Sequence, residues 1–457
     1  MKFSSAQERY IITIQKNEKH HLIRGSFPFS VKKSPFYYGW VILVAGSLGV
    51  LFSIPGQTMG VSVYTDHLID NLKISRIQIS TAYMIGTLIS SLLMTKAGLF
   101  YDKYGARVAA SGSAFFLGLC LIILSKSVLI TVFIHNLTSI PAVTVAFGLM
   151  VLGFFGIRFF GQGVLTLVSR GMVMRWFEVH RGFAAALMGI FTSFGFSYAP
   201  RILQALINFS SWEKSWVFIG LTLIFLVLPF IIFIFRDSPE ECEMEMEEGV
   251  HIKTGSRSSA DKIKKSFTLK EAKKDPQLWF YLSLLFYWAL YNTAFTFHIT
   301  SIFASRGKDT VEAVAIFLPI SIIAVGARFL GSWLSDIVRM KNIFYALIVA
   351  TFIAALAIAM PYNNLAKVLL IAGMGIAGGL FGVLTSVTWP KLYGREHLGA
   401  ISGLAMSFMV AGSAVGPWIF SIMENIWGHY RYTGYLGMAF TLIIGLSSLP
   451  VLLKSKS

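Results

Sequence analysis

The chain has 457 residues, of which 55% are apolar and only 13% charged, with a mean hydropathy of +0.67. A soluble domain carries about 25% charged residues, so this chain cannot clothe a soluble surface of its size and a water-soluble fold is excluded. The net charge of +17 would suggest nucleic acid on a soluble protein; here it reads as loops gathered on one side of a lipid bilayer, and no nucleic-acid partner is expected.

Residues 1–37 are mixed and basic and read as a cytosolic tail, with no cleavage site behind a short apolar core. Apolar runs then fall at about 38–60, 77–99, 108–126, 141–169, 182–206 and 215–235. A polar stretch follows at 237–276, opening on an acidic cluster around Glu240–Glu248 and turning basic towards Lys274, which has the composition of a disordered cytosolic linker. Six further runs lie at about 277–300, 310–335, 342–360, 366–389, 399–423 and 435–453, leaving a short tail at 454–457. The expected fold is therefore an all-α integral membrane protein of twelve transmembrane helices, divided into bundles 38–236 and 277–453.

Most of the lysines and arginines fall in alternate loops, among them Lys103, Arg107, Arg170, Arg175, Arg236, Lys341, Lys391 and Arg395. Such loops face the cytoplasm, which puts both termini inside, with the plasma membrane as the expected location. The two cysteines, Cys120 in an apolar run and Cys242 in the acidic loop, form no disulfide or metal pattern. No metal and no cofactor is expected.

The halves echo each other. Gly163-Val164-Leu165-Thr166 in the fourth run matches Gly382-Val383-Leu384-Thr385 in the tenth. Gly182 and Pro200 in the fifth run match Gly399 and Pro417 in the eleventh, and Asp102 and Arg107 match Asp336 and Lys341. Parallel six-helix repeats place a substrate site at their interface near the midplane.

The stretch Gly98-Leu99-Phe100-Tyr101-Asp102-Lys103-Tyr104-Gly105-Ala106-Arg107 resembles the loop signature of the major facilitator superfamily. The resemblance covers about residues 36–453 and implies two six-helix bundles related by a pseudo-twofold axis. Within the superfamily, Phe36–Val41 and Gly326-Ala327-Arg328-Phe329-Leu330-Gly331-Ser332-Trp333-Leu334-Ser335-Asp336 resemble the monocarboxylate and oxalate–formate exchanger branch. That likeness implies a carboxylate-binding role for Arg328 alone. The eighth run lacks the aspartate one turn before Arg328 that some proton-coupled relatives carry.

A charge at the bilayer centre costs about 2.5–3.5 kcal/mol on insertion scales and asks for a function. Arg328 lies eight residues before Asp336, about 12 Å from the cytoplasmic end, and Arg158 about 18 Å deep by the same helical rise. No acid is expected at that depth, and an arginine fork suits a carboxylate. The expected solute is a small organic anion, bound by Arg328 and Arg158 with Gln162, Tyr287 and Tyr291 as further candidates. Gly98, Asp102, Gly105, Arg107, Asp336, Pro200 and Pro417 are the candidate gating residues; Asp102 is placed either to cap a neighbouring helix or to pair with a loop arginine.

The leading expectation is a secondary active transporter working by alternating access, through proton symport or anion exchange, as a monomeric functional unit. No Gly-x-x-x-x-Gly-Lys loop is present to bind nucleotide. An enzyme would need paired acids or a nucleophile set at depth, and none is visible. A transporter or drug exporter for a non-carboxylate solute and a non-transporting membrane sensor stay open as alternatives.

Overall fold

The computed structural model describes residues 27–244, 266–308 and 310–452. Most of the N-terminal tail, the middle of the central linker and the C-terminal tail lie outside them.

The described residues form helices and no strands. Among the described residues nine helices are long and apolar enough to cross a membrane. One of these, Arg76–Leu124, holds two crossings, because it folds back at Gly105 with φ of 82°. A positive φ there strains any residue with a Cβ. Two more crossings escape the length-and-hydropathy criterion for visible reasons. The first span is broken into Gly39–Phe52 and Thr58–Leu72 around Ile54–Gly56. The seventh, Pro276–Ala304, has no Asp, Glu, Lys or Arg, but its tyrosines, tryptophans, Asn292 and His298 lower its hydropathy.

The remaining spans run Ala142–Trp176, Arg181–Phe209, Trp212–Ile234, Phe317–Ile337, Met340–Ala359, Asn364–Tyr393, Leu398–Trp427 and Arg431–Leu452. The protein is an all-α membrane protein of twelve crossings in two six-helix bundles. The starts are set locally: Ser75 and Gln78 form a capping box ahead of Arg76, and Asn363 caps the tenth span through Ala366. Hydropathy alone ends the first span near residue 60 and the fourth near 169. In the structure helix continues to Leu72 and to Trp176, because polar residues on a helix facing protein do not end it.

The bundles meet through two exchanged pairs, the second span against the eleventh and the fifth against the eighth. In lipid such contacts rest on close backbone approach at small residues. A Cβ on Gly403 would come within 2.6 Å of the Met94 carbonyl oxygen, and one on Gly182 or Gly98 would overlap the opposing backbone.

Candidate functional site between the bundles

The hydrogen bonds between the bundles gather in one half of the molecule, its closed face. The innermost joins Thr95 Oγ1 and Ser407 Oγ at 3.3 Å. Further out, Asp102 accepts from Gly399 N at 2.8 Å and Ala400 N at 2.6 Å. These are free amides in the first turn of Leu398–Trp427, where the helix dipole favours an anion. The same carboxylate takes Arg175 Nη2 at 2.6 Å. So Asp102 both caps a helix of the other bundle and pairs with an arginine. Arg175 also holds both oxygens of Asp237, at 2.7 and 2.6 Å.

The pseudo-equivalent Asp336 accepts from Gly182 N at 3.3 Å, in the first turn of Arg181–Phe209, and from Lys391 Nζ at 3.3 Å. Arg107 donates to the carbonyls of Phe235 and Phe27 at 2.6 and 2.9 Å, and Lys341 to that of Leu452 at 3.2 Å. Each base thus serves the C-terminal end of its bundle's last helix, where freed carbonyls attract cations.

Above this closure lies Arg328. Its guanidinium threads a slot between Gly189 of the fifth span and Gly382 of the tenth. A Cβ on Gly189 would overlap Arg328 Nε, and one on Gly382 would stand 2.8 Å from Cζ. Arg328 Nε is buried with no hydrogen-bond partner. Among the described residues Arg328 has no ion pair.

Arg158 is placed differently. It is 1% exposed, and Nη1 donates to the Gly56 carbonyl at 3.0 Å and to Thr58 Oγ1 at 3.3 Å. Those acceptors belong to the break in the first span, where Pro55 interrupts the helical ladder. Tyr83 faces the same guanidinium, 5.1 Å from ring centroid to Cζ. The fourth span is itself loosened to a π-helix over Arg158–Leu165, so that Gly161 meets Gly56. Arg158 Nε and Nη2 and the Gln162 side-chain carbonyl stay buried without partners.

Tyr287 and Tyr291 are buried inside the C-terminal bundle. Their rings lie 5.6 Å apart; Tyr287 stacks on Phe440, Tyr291 meets Phe420 edge-on, and both hydroxyls lack partners. Gly437 packs against the Tyr287 hydroxyl, which directs that ring to the twelfth span. Pro200 lies within the fifth span, and the Pro417 carbonyl oxygen is 2.9 Å from His298 Nε2.

One residue escaped the sequence reading. Arg170, counted there among the loop bases, sits inside Thr166–Trp176 and lines a cavity of about 30 Å³ with Thr385, Ser386, Trp389, Ser402 and Met406. Its signal was present: Arg158, Gln162, Thr166 and Arg170 recur every four residues, the spacing of one helical face.

The Major Facilitator Superfamily profile matches residues 46–417. This chain belongs to that superfamily. Solved structures agree with it at the level of the fold. The E. coli fucose:proton symporter matches with TM-score 0.58 and 15% identity over 92% of this chain and 100% of that one. A bacterial homologue of the iron transporter ferroportin, in an outward-facing state, matches with TM-score 0.62 and 15% identity over 90% and 100%. The proton:xylose symporter matches with TM-score 0.60 and 14% identity over 90% and 95%. No curated protein sequence matches. Family and fold make the chain a multi-pass transporter rather than an enzyme.

Proposed function

We propose that this protein carries a small organic anion, a mono- or dicarboxylate, by alternating access of bundle 38–236 against bundle 277–453. The observation behind this reading is the Arg328 slot. An arginine with a buried, unpartnered Nε on the seam between two mobile bodies is a charge awaiting a counter-charge, and its planar fork matches a carboxylate. Arg158 is assigned instead to holding the broken first span, since its bonds go to Gly56 and Thr58. The closed face is the cytoplasmic one in this reading, by the bias of basic loops, which makes this conformation outward-facing for a carrier that works as a monomer in the plasma membrane. Gly98, Asp102, Gly105, Arg107 and Asp336 form its inner gate. Protons are a candidate coupling ion.

The test is uptake into proteoliposomes of radiolabelled acetate, malonate and succinate, with and without a pH gradient, alongside a sugar and an organic cation. Carboxylate uptake that Arg328→Gln reduces at least tenfold, at equal reconstitution, supports the reading. Uptake of only the sugar or the cation, with no carboxylate competing, sinks it. Stimulation by an inward proton gradient separates symport from exchange.

A further inference from the structure

Arg170 is a half-buried charge inside the bundle with nothing to balance it. Among the described residues it has no hydrogen bond and no ion pair, and the cavity it lines offers Thr385, Ser386 and Ser402 but no acid. Along its helix it precedes Arg175 by five residues, about 7–8 Å at helical rise. Arg328 precedes Asp336 by eight, about 12 Å. Arg170 therefore stands between the level of Arg328 and the closed gate. Both arginines approach the same stretch of the tenth span, Arg328 at Gly382 and Arg170 one turn on at Thr385 and Ser386. They come from opposite bundles, Arg170 from the fourth span and Arg328 from the eighth.

We infer that Arg170 is a second anion-binding station, set between Arg328 and the closed gate in this state, which receives the carboxylate from Arg328 as the closed face opens. This rests on the anion reading given above. Structural duty explains Arg170 poorly, because a guanidinium without bonds steadies nothing while a charge inside a membrane-spanning helix is costly. The cavity of about 30 Å³ has room for about two or three waters, so in the closed state the station is formed but tight. Opening of the gate supplies the room. Two cations facing each other without an acid repel, and an anion passing between them lifts that repulsion. Solute would thereby ease the movement of the bundles past each other.

The experiment reads the station directly. Cys120→Ala and Cys242→Ala remove the native thiols, Ser402→Cys places a reporter in the same cavity, and Asp102→Asn opens the gate. Malonate is expected to slow modification of the reporter by an anionic methanethiosulfonate. Arg170→Gln should raise the half-protecting malonate concentration at least tenfold, and Arg170→Lys should restore it to within about threefold. A cationic reagent reports that the cavity is open and the protein folded in each variant. Unchanged malonate protection in Arg170→Gln would overturn the station. In a second arm with the gate residue intact, Arg170→Gln should raise the KM for malonate entering from the closed face about tenfold while the KM from the other face stays within twofold; an equal rise on both faces overturns the proposal. Protection that persists when no carboxylate is transported would sink the transport reading and leave the station standing.

Discussion

The two halves of the proposed gate come from matching positions, yet they are built to different strengths. On one side Asp102 accepts two backbone amides of the opposite bundle at 2.8 and 2.6 Å, and its partner Arg175 also holds both oxygens of Asp237. Arg175 and Asp237 are 2% and 3% exposed. Arg395 of the opposite bundle adds a bond to the Arg175 carbonyl at 2.7 Å and one to Glu240 at 3.1 Å. On the other side Asp336 accepts one amide at 3.3 Å, and its partner Lys391 stands 3.3 Å away with both side chains about a quarter exposed. Arginine holds two carboxylates where lysine offers a single point charge. The difference teaches that closure is uneven: one seam is fixed by a dry charge knot, and the other is held by a wet pair worth about 0–1 kcal/mol. Opening should begin on the Asp336 side and be limited by the Asp102 side.

The largest effect should come from breaking the knot itself. Arg175→Met leaves Asp237 buried without its cation, a loss of about 3–5 kcal/mol, whereas Lys391→Met removes an exposed pair worth about 1 kcal/mol or less. Thermal unfolding in detergent should show a deep fall in Tm for the first and a small one for the second. Asp237→Asn added to Arg175→Met should recover part of the loss. Equal Tm shifts for the two single variants would erase the asymmetry.

Next come the carboxylates. Asp102→Asn weakens two charge-assisted bonds, each worth about 1.5–3 kcal/mol, and loses the pairing with Arg175. Labelling of Ser402→Cys from the closed face should then rise at least tenfold. Asp336→Asn weakens one long amide bond and one long lysine pair and should raise it about threefold. A larger response to Asp336→Asn would reverse the proposed order of opening. A steric version ought to abolish the difference. A Cβ on Gly399 would meet Asp102 Oδ1 at 2.7 Å, and a Cβ on Gly182 would meet Asp336 Oδ2 at 2.6 Å. Gly399→Ala and Gly182→Ala should therefore open the face by similar factors. A response confined to Gly399→Ala would mean that packing, too, is uneven.

Much of this gate was legible in the sequence, and the part that was not has a physical reason. Asp102 and Asp336, with Arg107 and Lys341 five residues on, repeat at the same register, so the pairing of the halves could be read directly. The number of spans followed from hydropathy. The strength of the knot did not, because Arg175 and Asp237 are 62 residues apart and look like ordinary loop charges on either side of two crossings. Asp237 falls in a segment whose composition suggests a disordered linker, yet its carboxylate takes Ala106 N at 3.0 Å and Trp176 Nε1 ties down the neighbouring Arg236 carbonyl at 2.9 Å. Arg158 could be placed at depth but not aimed, since its acceptors exist only because the first span breaks at Pro55. The Gly189–Gly382 slot was equally hidden: glycines that merely pack and glycines that admit a guanidinium look alike in one dimension. Arg170 was missed because a span was ended too early, at Ser169.

The smallest effect sharpens the comparison from the linker. Cys242 follows the knot by five residues, is 6% exposed, and has no counterpart beside Asp336. Burial is the chief cause that pushes its thiol up to about 11, with Arg236 and Arg107 pulling the other way. Because the thiolate is the nucleophile, the closed state should alkylate slowly near neutral pH. Its rate with iodoacetamide should climb about tenfold per pH unit and level off only near pH 11. Opening the knot with Asp237→Asn should expose the thiol and bring the midpoint down towards the free value of about 8.5, giving a several-fold faster reaction at pH 7.5. Asp336→Asn should leave the Cys242 profile unchanged. If both variants shift it alike, the linker answers to the gate as a whole and the knot is not a separate, slower seam.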